Sequence, residues 1–109
     1  SGGAEERAVE AAASAARLAE ANAAACAMKE AEEEEARLRE EEVMERIALV
    51  EAALTAREMA RACKAMEAVS EAVGKLQGDE IPGLTEILQG VHLRLKEQAV
   101  RDRDRRVGL

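Results

Sequence analysis

The chain has 109 residues, a length that suits one ordinary domain, and a formal net charge of −7. It contains no Phe, Tyr or Trp, and 25 alanines supply about half of its hydrophobic residues, which excludes a thick core of large side chains. Two cysteines without a secretory signal indicate reduced thiols, and no apolar run is long enough for a membrane span. The abundance of Ala, Glu, Arg, Leu and Lys favours an all-α protein with long helices or coiled coils.

The first three residues, SGG, are typical of a cleaved expression tag, because no initiator Met precedes these small residues. We therefore expect residues 1–3 to be a tag remnant and residues 4–109 to form a single elongated helical module of a larger protein. Since no signal peptide opens the chain, we expect an intracellular location in the cytoplasm, the cytoskeleton or the nucleus.

A long first helix is predicted over about residues 4–76. Neither Gly nor Pro occurs between Ala4 and Val73, and the residues of this stretch are strong helix formers. Within it, the run AEEEEARLREEE at residues 31–42 places glutamates four positions before arginines, the spacing of stabilising ion pairs on a helix. We interpret the run as a solvated, stiff helix, with docking of a basic partner as the alternative.

A helix stop followed by a helix start is predicted in the segment KLQGDEIPG. Gly78 suits the left-handed position that ends a helix, Asp79 can cap the next helix, and Pro82 is tolerated in a first turn. A second helix is therefore predicted over about residues 79–106. It should fold back antiparallel about Gln77 and Gly78, which gives a coiled-coil helical hairpin.

Each helix carries a seam of apolar residues spaced three and four positions apart, and we expect the two seams to pack against each other in the hairpin. The seam over residues 43–54 is out of heptad phase with the seam over residues 59–76, which we interpret as a stutter in one continuous helix. Because the second helix covers only part of the first, a homodimer, parallel or antiparallel, should supply the missing contacts. The predicted helix–helix interface comprises Ile47, Val50, Leu54, Met59, Met66, Val69, Val73, Leu76, Leu84, Ile87, Leu88, Val91 and Leu95.

The end of the second helix is basic, with six basic residues against three acidic ones over residues 94–106. In the hairpin we expect this end to lie beside about residues 45–51, just short of the glutamates at 40–42, where opposite charges would support the antiparallel register. As an alternative function, the basic end of the second helix would bind a polyanion, either a microtubule surface or a nucleic acid. The contact residues would then be Arg101, Arg103, Arg105 and Arg106.

Residues suited to catalysis or metal binding are sparse in this sequence. The hairpin places Cys63 near the level of His92, but no orienting group or oxyanion-binding loop accompanies the pair. Cys26 and Cys63 are 37 positions apart, so on one straight helix they share neither a metal ion nor a disulfide. We therefore expect no enzymatic activity, no cofactor and no metal.

In composition the chain resembles segments of cytoskeletal, centriolar and kinetochore coiled-coil proteins, which share its Ala-, Glu- and Arg-rich helices without aromatic residues. The resemblance implies a non-enzymatic module for coiled-coil oligomerisation and protein interaction, with itself and another protein as partners and no membrane. A designed helical bundle is a third interpretation, but short regular loops would be expected of it, and the first seventy or so residues contain none.

Overall fold

The computed structural model describes residues 2–108, and within that range the chain forms three α-helices and no strand. The helices are α1 (Gly2–Thr55), α2 (Met59–Gly74) and α3 (Leu84–Arg106). The all-α fold class and the C-terminal helical hairpin expected from the sequence are confirmed. Of the expected tag remnant, Ser1 lies outside the described residues, whereas Gly2 and Gly3 belong to α1.

The chain divides into two compact units, Ser1–Glu35 and Ala36–Leu109. The described part of the first unit is a single stretch of α1 in which every side chain is exposed except that of the half-buried Ala13. Its large apolar residues, Val9, Leu18 and Met28, are 69%, 63% and 65% exposed. The helix in this unit is therefore supported by the intrinsic propensity of its alanines rather than by packing.

A tight turn between α1 and α2 interrupts the stretch that the sequence predicts as one continuous helix. Arg57 adopts a left-handed conformation with a φ of 59°. The amide of Arg57 donates to the carbonyl of Leu54 at 3.1 Å, and the amide of Glu58 donates to the carbonyl of Ala53 at 2.9 Å. These two bonds define the Schellman motif that ends many helices. The change of heptad phase in the sequence therefore marks a chain reversal and not a stutter.

Three polar contacts show that α2 runs antiparallel to the second half of α1. Arg46 Nη1 donates to the carbonyl of Ala68 at 2.6 Å, and Lys75 Nζ lies 3.4 Å from Glu42 Oε1. Arg39 reaches further along, to Glu80 in the segment that follows α2. Residues that lie farther before the turn thus pair with residues that lie farther after it, which is the antiparallel arrangement. The helices α1 and α2 therefore form a first hairpin that precedes the predicted one in the chain.

The second hairpin brings α3 back towards the turn at Arg57. Gly78 and Gly83 have φ values of 66° and 75°, so both use the left-handed conformation that glycine adopts without a Cβ clash. The third helix begins at Leu84 rather than at the predicted Asp79, because the intervening segment buries Ile81 before it turns.

One hydrophobic core joins all three helices of the second unit. It contains residues from α1, α2 and the connecting segment, but only one buried apolar residue from α3. Four further apolar residues of α3, Leu84, Ile87, Leu88 and Leu95, are partly buried against the core. The buried members are Val43, Ile47, Val50, Ala53, Leu54, Ala62, Met66, Val69, Ala72, Ile81 and Val91.

Candidate functional site

The interface residues predicted from the sequence lie in or around this intramolecular core. Ile47, Val50, Leu54, Met66, Val69 and Val91 are buried in it. Val73, Leu76, Leu84, Ile87, Leu88 and Leu95 are partly buried and pack against it. Met59 is half-buried at the start of α2. The seam over residues 43–54, which in the sequence lacks a partner, is thus covered by the chain's own second helix.

Three small or isolated residues of the core lie outside the seams predicted from the sequence. Ala53 and Ala72 are at most 1% exposed and Ile81 is 7% exposed, whereas Ala62, which falls on the predicted seam over residues 59–76, is 0% exposed. Alanines occur on every face of these helices, so no pattern separates Ala53 and Ala72 from the exposed alanines. The methyl side chains of Ala53, Ala62 and Ala72 take little space, so these alanines fit between the helices in the shared core.

An apolar groove runs between α1 and α2, and all of its lining residues belong to these two helices. Its volume is about 430 Å³, and Leu49 at its edge is 62% exposed. Large exposed apolar side chains grouped with small ones, and rimmed by charge, are typical of helix-docking surfaces. The lining residues are Leu49, Ala52, Ala53, Arg61, Lys64 and Ala65.

A second apolar surface lies on α3, where Leu93 and Val100 are 55% and 40% exposed. They are seven positions apart and therefore share one face of the helix. Lys96, Glu97 and Arg101 line the same shallow depression, whose volume is about 430 Å³. Charged side chains therefore border this surface, as Arg61 and Lys64 border the groove between α1 and α2.

Arginines near the acidic run pair both within the helix and across the fold. The predicted pair Glu42 with Arg46 is present at 2.6 Å, and Arg37 Nη1 lies 3.8 Å from Glu41. Arg39 forms a bidentate pair with Glu80, with its Nη2 and Nε donating at 2.7 and 3.1 Å. The i,i+4 spacing predicts Glu35 as a partner of Arg39 in the same helix, and it gives no signal for a partner 41 positions away.

The pair of Arg39 and Glu80 is shielded from water, with side chains 22% and 13% exposed. The hydrogen bond from Arg39 lowers the pKa of the Glu80 carboxyl, and the guanidinium charge and a backbone hydrogen bond from Gln77 act in the same direction. Partial burial opposes this shift because it disfavours the charged form. The carboxylate of Glu80 therefore stays ionised and ties the segment after α2 to α1.

The sequence predicts that the basic end of α3 lies beside residues 45–51. In the structure this end pairs instead with acidic residues of its own helix. Arg101 lies 3.6 Å from Glu97, and Arg105 lies 3.8 Å from Asp102. Arg103 lies 3.6 Å from its neighbour Asp104. The expected register is wrong because α1 ends at the turn around Arg57. Arg101 lies beside that turn, and residues 102–106 follow it along α3.

Chemically reactive side chains are dispersed over the described surface. Cys26 and Cys63 are exposed free thiols, and His92 is exposed on α3. Within residues 2–108, no group of three or more His, Cys, Asp or Glu side chains is placed to hold a metal ion. None of the helices in that range is both long and apolar enough to span a membrane.

The fold and these surfaces define an all-α protein whose second unit is a double helical hairpin with an exposed apolar groove. Comparison with protein-family models, with curated proteins and with solved structures finds no match to this chain.

Proposed function

We propose that this chain is a non-enzymatic structural module that mediates coiled-coil oligomerisation and protein interaction in a larger, cytoskeletal or kinetochore-like protein. It self-associates as a homodimer and works inside the cell, in the cytoplasm, the cytoskeleton or the nucleus. Its exposed acidic residues 32–35 offer a surface to another, basic protein.

The observation that supports the proposal best is the groove around Leu49. This side chain is 62% exposed between two helices that are otherwise packed on a common core. Complete burial of a leucine side chain contributes about 1.5 to 3 kcal/mol, a gain that a monomer leaves largely unused. The alanines beside Leu49 allow a helix of the partner to approach closely.

A symmetric dimer that packs groove on groove satisfies the charges at the rim. Arg61 Nε already lies 2.8 Å from Glu58 Oε2, so its guanidinium enters the interface as a neutral pair. Lys64 can lay its aliphatic stem along the apolar surface and keep its ammonium group in water. The same patch on both copies then forms the isologous contact of a twofold dimer, which is a four-helix arrangement of two α1–α2 hairpins.

A charge placed in the groove tests this arrangement. Leu49→Glu should convert the dimer into a helical monomer, because the carboxylate would have to be buried in the interface without a partner. Leu93→Glu is the matched control, since it makes the same change at another exposed leucine, on α3. Sedimentation velocity at several protein concentrations measures both masses. An unchanged dimer for Leu49→Glu, or equal dissociation of both variants, would contradict the groove as the interface.

A polyanion-binding module is the second candidate, and the exposure of the basic end favours it. Arg101, Arg103, Arg105 and Arg106 are all exposed, and the pairs that three of them make are local. The polyanion would be a microtubule surface or a nucleic acid. Binding through these arginines should fall steeply between 50 and 200 mM salt because counterions are released. Co-sedimentation with microtubules, and a parallel titration with single-stranded DNA, would measure that dependence.

A further inference from the structure

A polar cavity lies where α3 passes the turn between α1 and α2. Its volume is about 250 Å³, several times the roughly 30 Å³ that one water occupies in the liquid. Three guanidinium groups and one carboxylate line it, so its wall is positive in a chain whose net charge is −7. The lining residues are Leu54, Arg57, Arg94, Glu97, Gln98 and Arg101.

Two of these three arginines have unused hydrogen-bonding capacity in their side chains. Arg101 Nη2 lies 3.6 Å from Glu97 Oε2. Across the part of the chain that the structure describes, the guanidinium groups of Arg57 and Arg94 form neither an ion pair nor a hydrogen bond. A guanidinium has five N–H donors in a planar fork, and it accepts no proton or hydrogen bond. The cavity therefore presents many donors and an excess of positive charge.

The backbone of Arg57 gives an independent reason to assign a role to this cavity. Among the described residues it is the only non-glycine residue with a positive φ, at 59°. It occupies the position of the Schellman motif where glycine is usual, since a Cβ brings a steric cost there. Strained non-glycine positions concentrate at functional sites, where the surrounding structure holds a needed side chain in an unfavourable conformation.

We propose that Arg57, Arg94 and Arg101 form a binding site for a phosphomonoester dianion. Arginine forks match the oxygens of a tetrahedral phosphate and bind them in a bidentate manner. The site lies within one chain, so it goes beyond the proposed oligomerisation and does not depend on it. Free phosphate and a phosphorylated residue of a partner protein share this chemistry.

A single compact dianion fits the molecule better than a long polyanion does. The arginines that follow the cavity on α3 alternate with Asp102 and Asp104, so an extended polyanion would meet carboxylates beside the site. The chain also lacks aromatic residues, so it offers no platform on which bases would stack. Charge and shape together favour one phosphate group held at one point.

The test uses Arg57→Gly in the full chain, because glycine suits the left-handed conformation and so separates binding from folding. Isothermal titration with inorganic phosphate and with a phosphoserine peptide, at constant ionic strength and pH 7.5, measures affinity. Wild type should bind with saturation. Arg57→Gly should melt at a higher temperature than wild type and bind at least tenfold more weakly. Equal affinity of Arg57→Gly and wild type would overturn the proposal.

A second variant and a matched control decide the remaining outcomes. Arg94→Gln should also bind at least tenfold more weakly, whereas Arg61→Gln, which makes the same change at the groove, should bind as wild type does. A peptide that binds at least tenfold more tightly than inorganic phosphate would assign the site to a phosphorylated partner, and equal affinities would assign it to free phosphate. Absence of saturable binding, or binding of single-stranded DNA alone, would overturn the proposal.

Discussion

Replacing Val69 by alanine tests the core that holds the double hairpin together. Val69 is 0% exposed in the middle of α2. The side chain loses two carbon groups, worth about 1.6 kcal/mol of transfer free energy at roughly 0.8 kcal/mol each. An unfilled cavity of about 50 Å³ would add about 1.2 kcal/mol. The higher helix propensity of alanine offsets about 0.5 kcal/mol of this loss. The free energy of unfolding should therefore fall by about 2 kcal/mol.

A loss of that size is easily measured in a small folded unit. For a domain of 60 to 100 residues it corresponds to a drop in melting temperature of about 8 to 16 °C. Thermal unfolding followed by circular dichroism at 222 nm measures it. Val100→Ala is the matched control, because Val100 is 40% exposed, and its change should stay within about 0.5 kcal/mol. Equal shifts for the two variants would refute the core assigned to α2.

Two further predictions concern the charged groups. Arg39 lowers the pKa of Glu80 below its ordinary value of 4.5, so the ion pair stabilises the fold above that pH and is lost as the pH falls through the lower, folded-state pKa. The melting temperature of Glu80→Gln should thus lie below that of wild type at pH 7 and converge with it as the pH falls below 4.5, and a constant difference would contradict this assignment. Replacing all four basic-end arginines by glutamine should leave self-association intact, since they pair locally, and a monomer by light scattering would show that they contribute to the dimer. The four residues are Arg101, Arg103, Arg105 and Arg106.

The second hairpin could be predicted from local chemistry, and the first could not. Gly78 and Pro82 predict the connection between α2 and α3, because glycine readily adopts a positive φ and proline is excluded from the interior of a helix. No such residue marks the turn at Arg57. There the burial of Val50 and Leu54 in the core that they share with α2 outweighs the cost of about 1 to 2 kcal/mol for a left-handed arginine. The shift in heptad phase was the one signal of that turn.

The groove and the cavity both depend on the turn at Arg57, so their positions could not be predicted from the sequence either. The groove around Leu49 exists because α2 folds back along α1. The cavity at Arg57 exists because α3 then passes that turn. Pairing of Arg39 with Glu80 likewise joins segments 41 positions apart. Periodicity within one helix gives no information on which residues a chain reversal brings together.

The central claim, self-association of the module, is tested most directly by molar mass from light scattering during size exclusion, at low and at high salt. A dimer held by the apolar groove should show twice the chain mass of 11.7 kDa at both salt concentrations, since apolar contacts are not screened by ions. A mass of 11.7 kDa at both concentrations, with the helical circular dichroism retained, would contradict the claim.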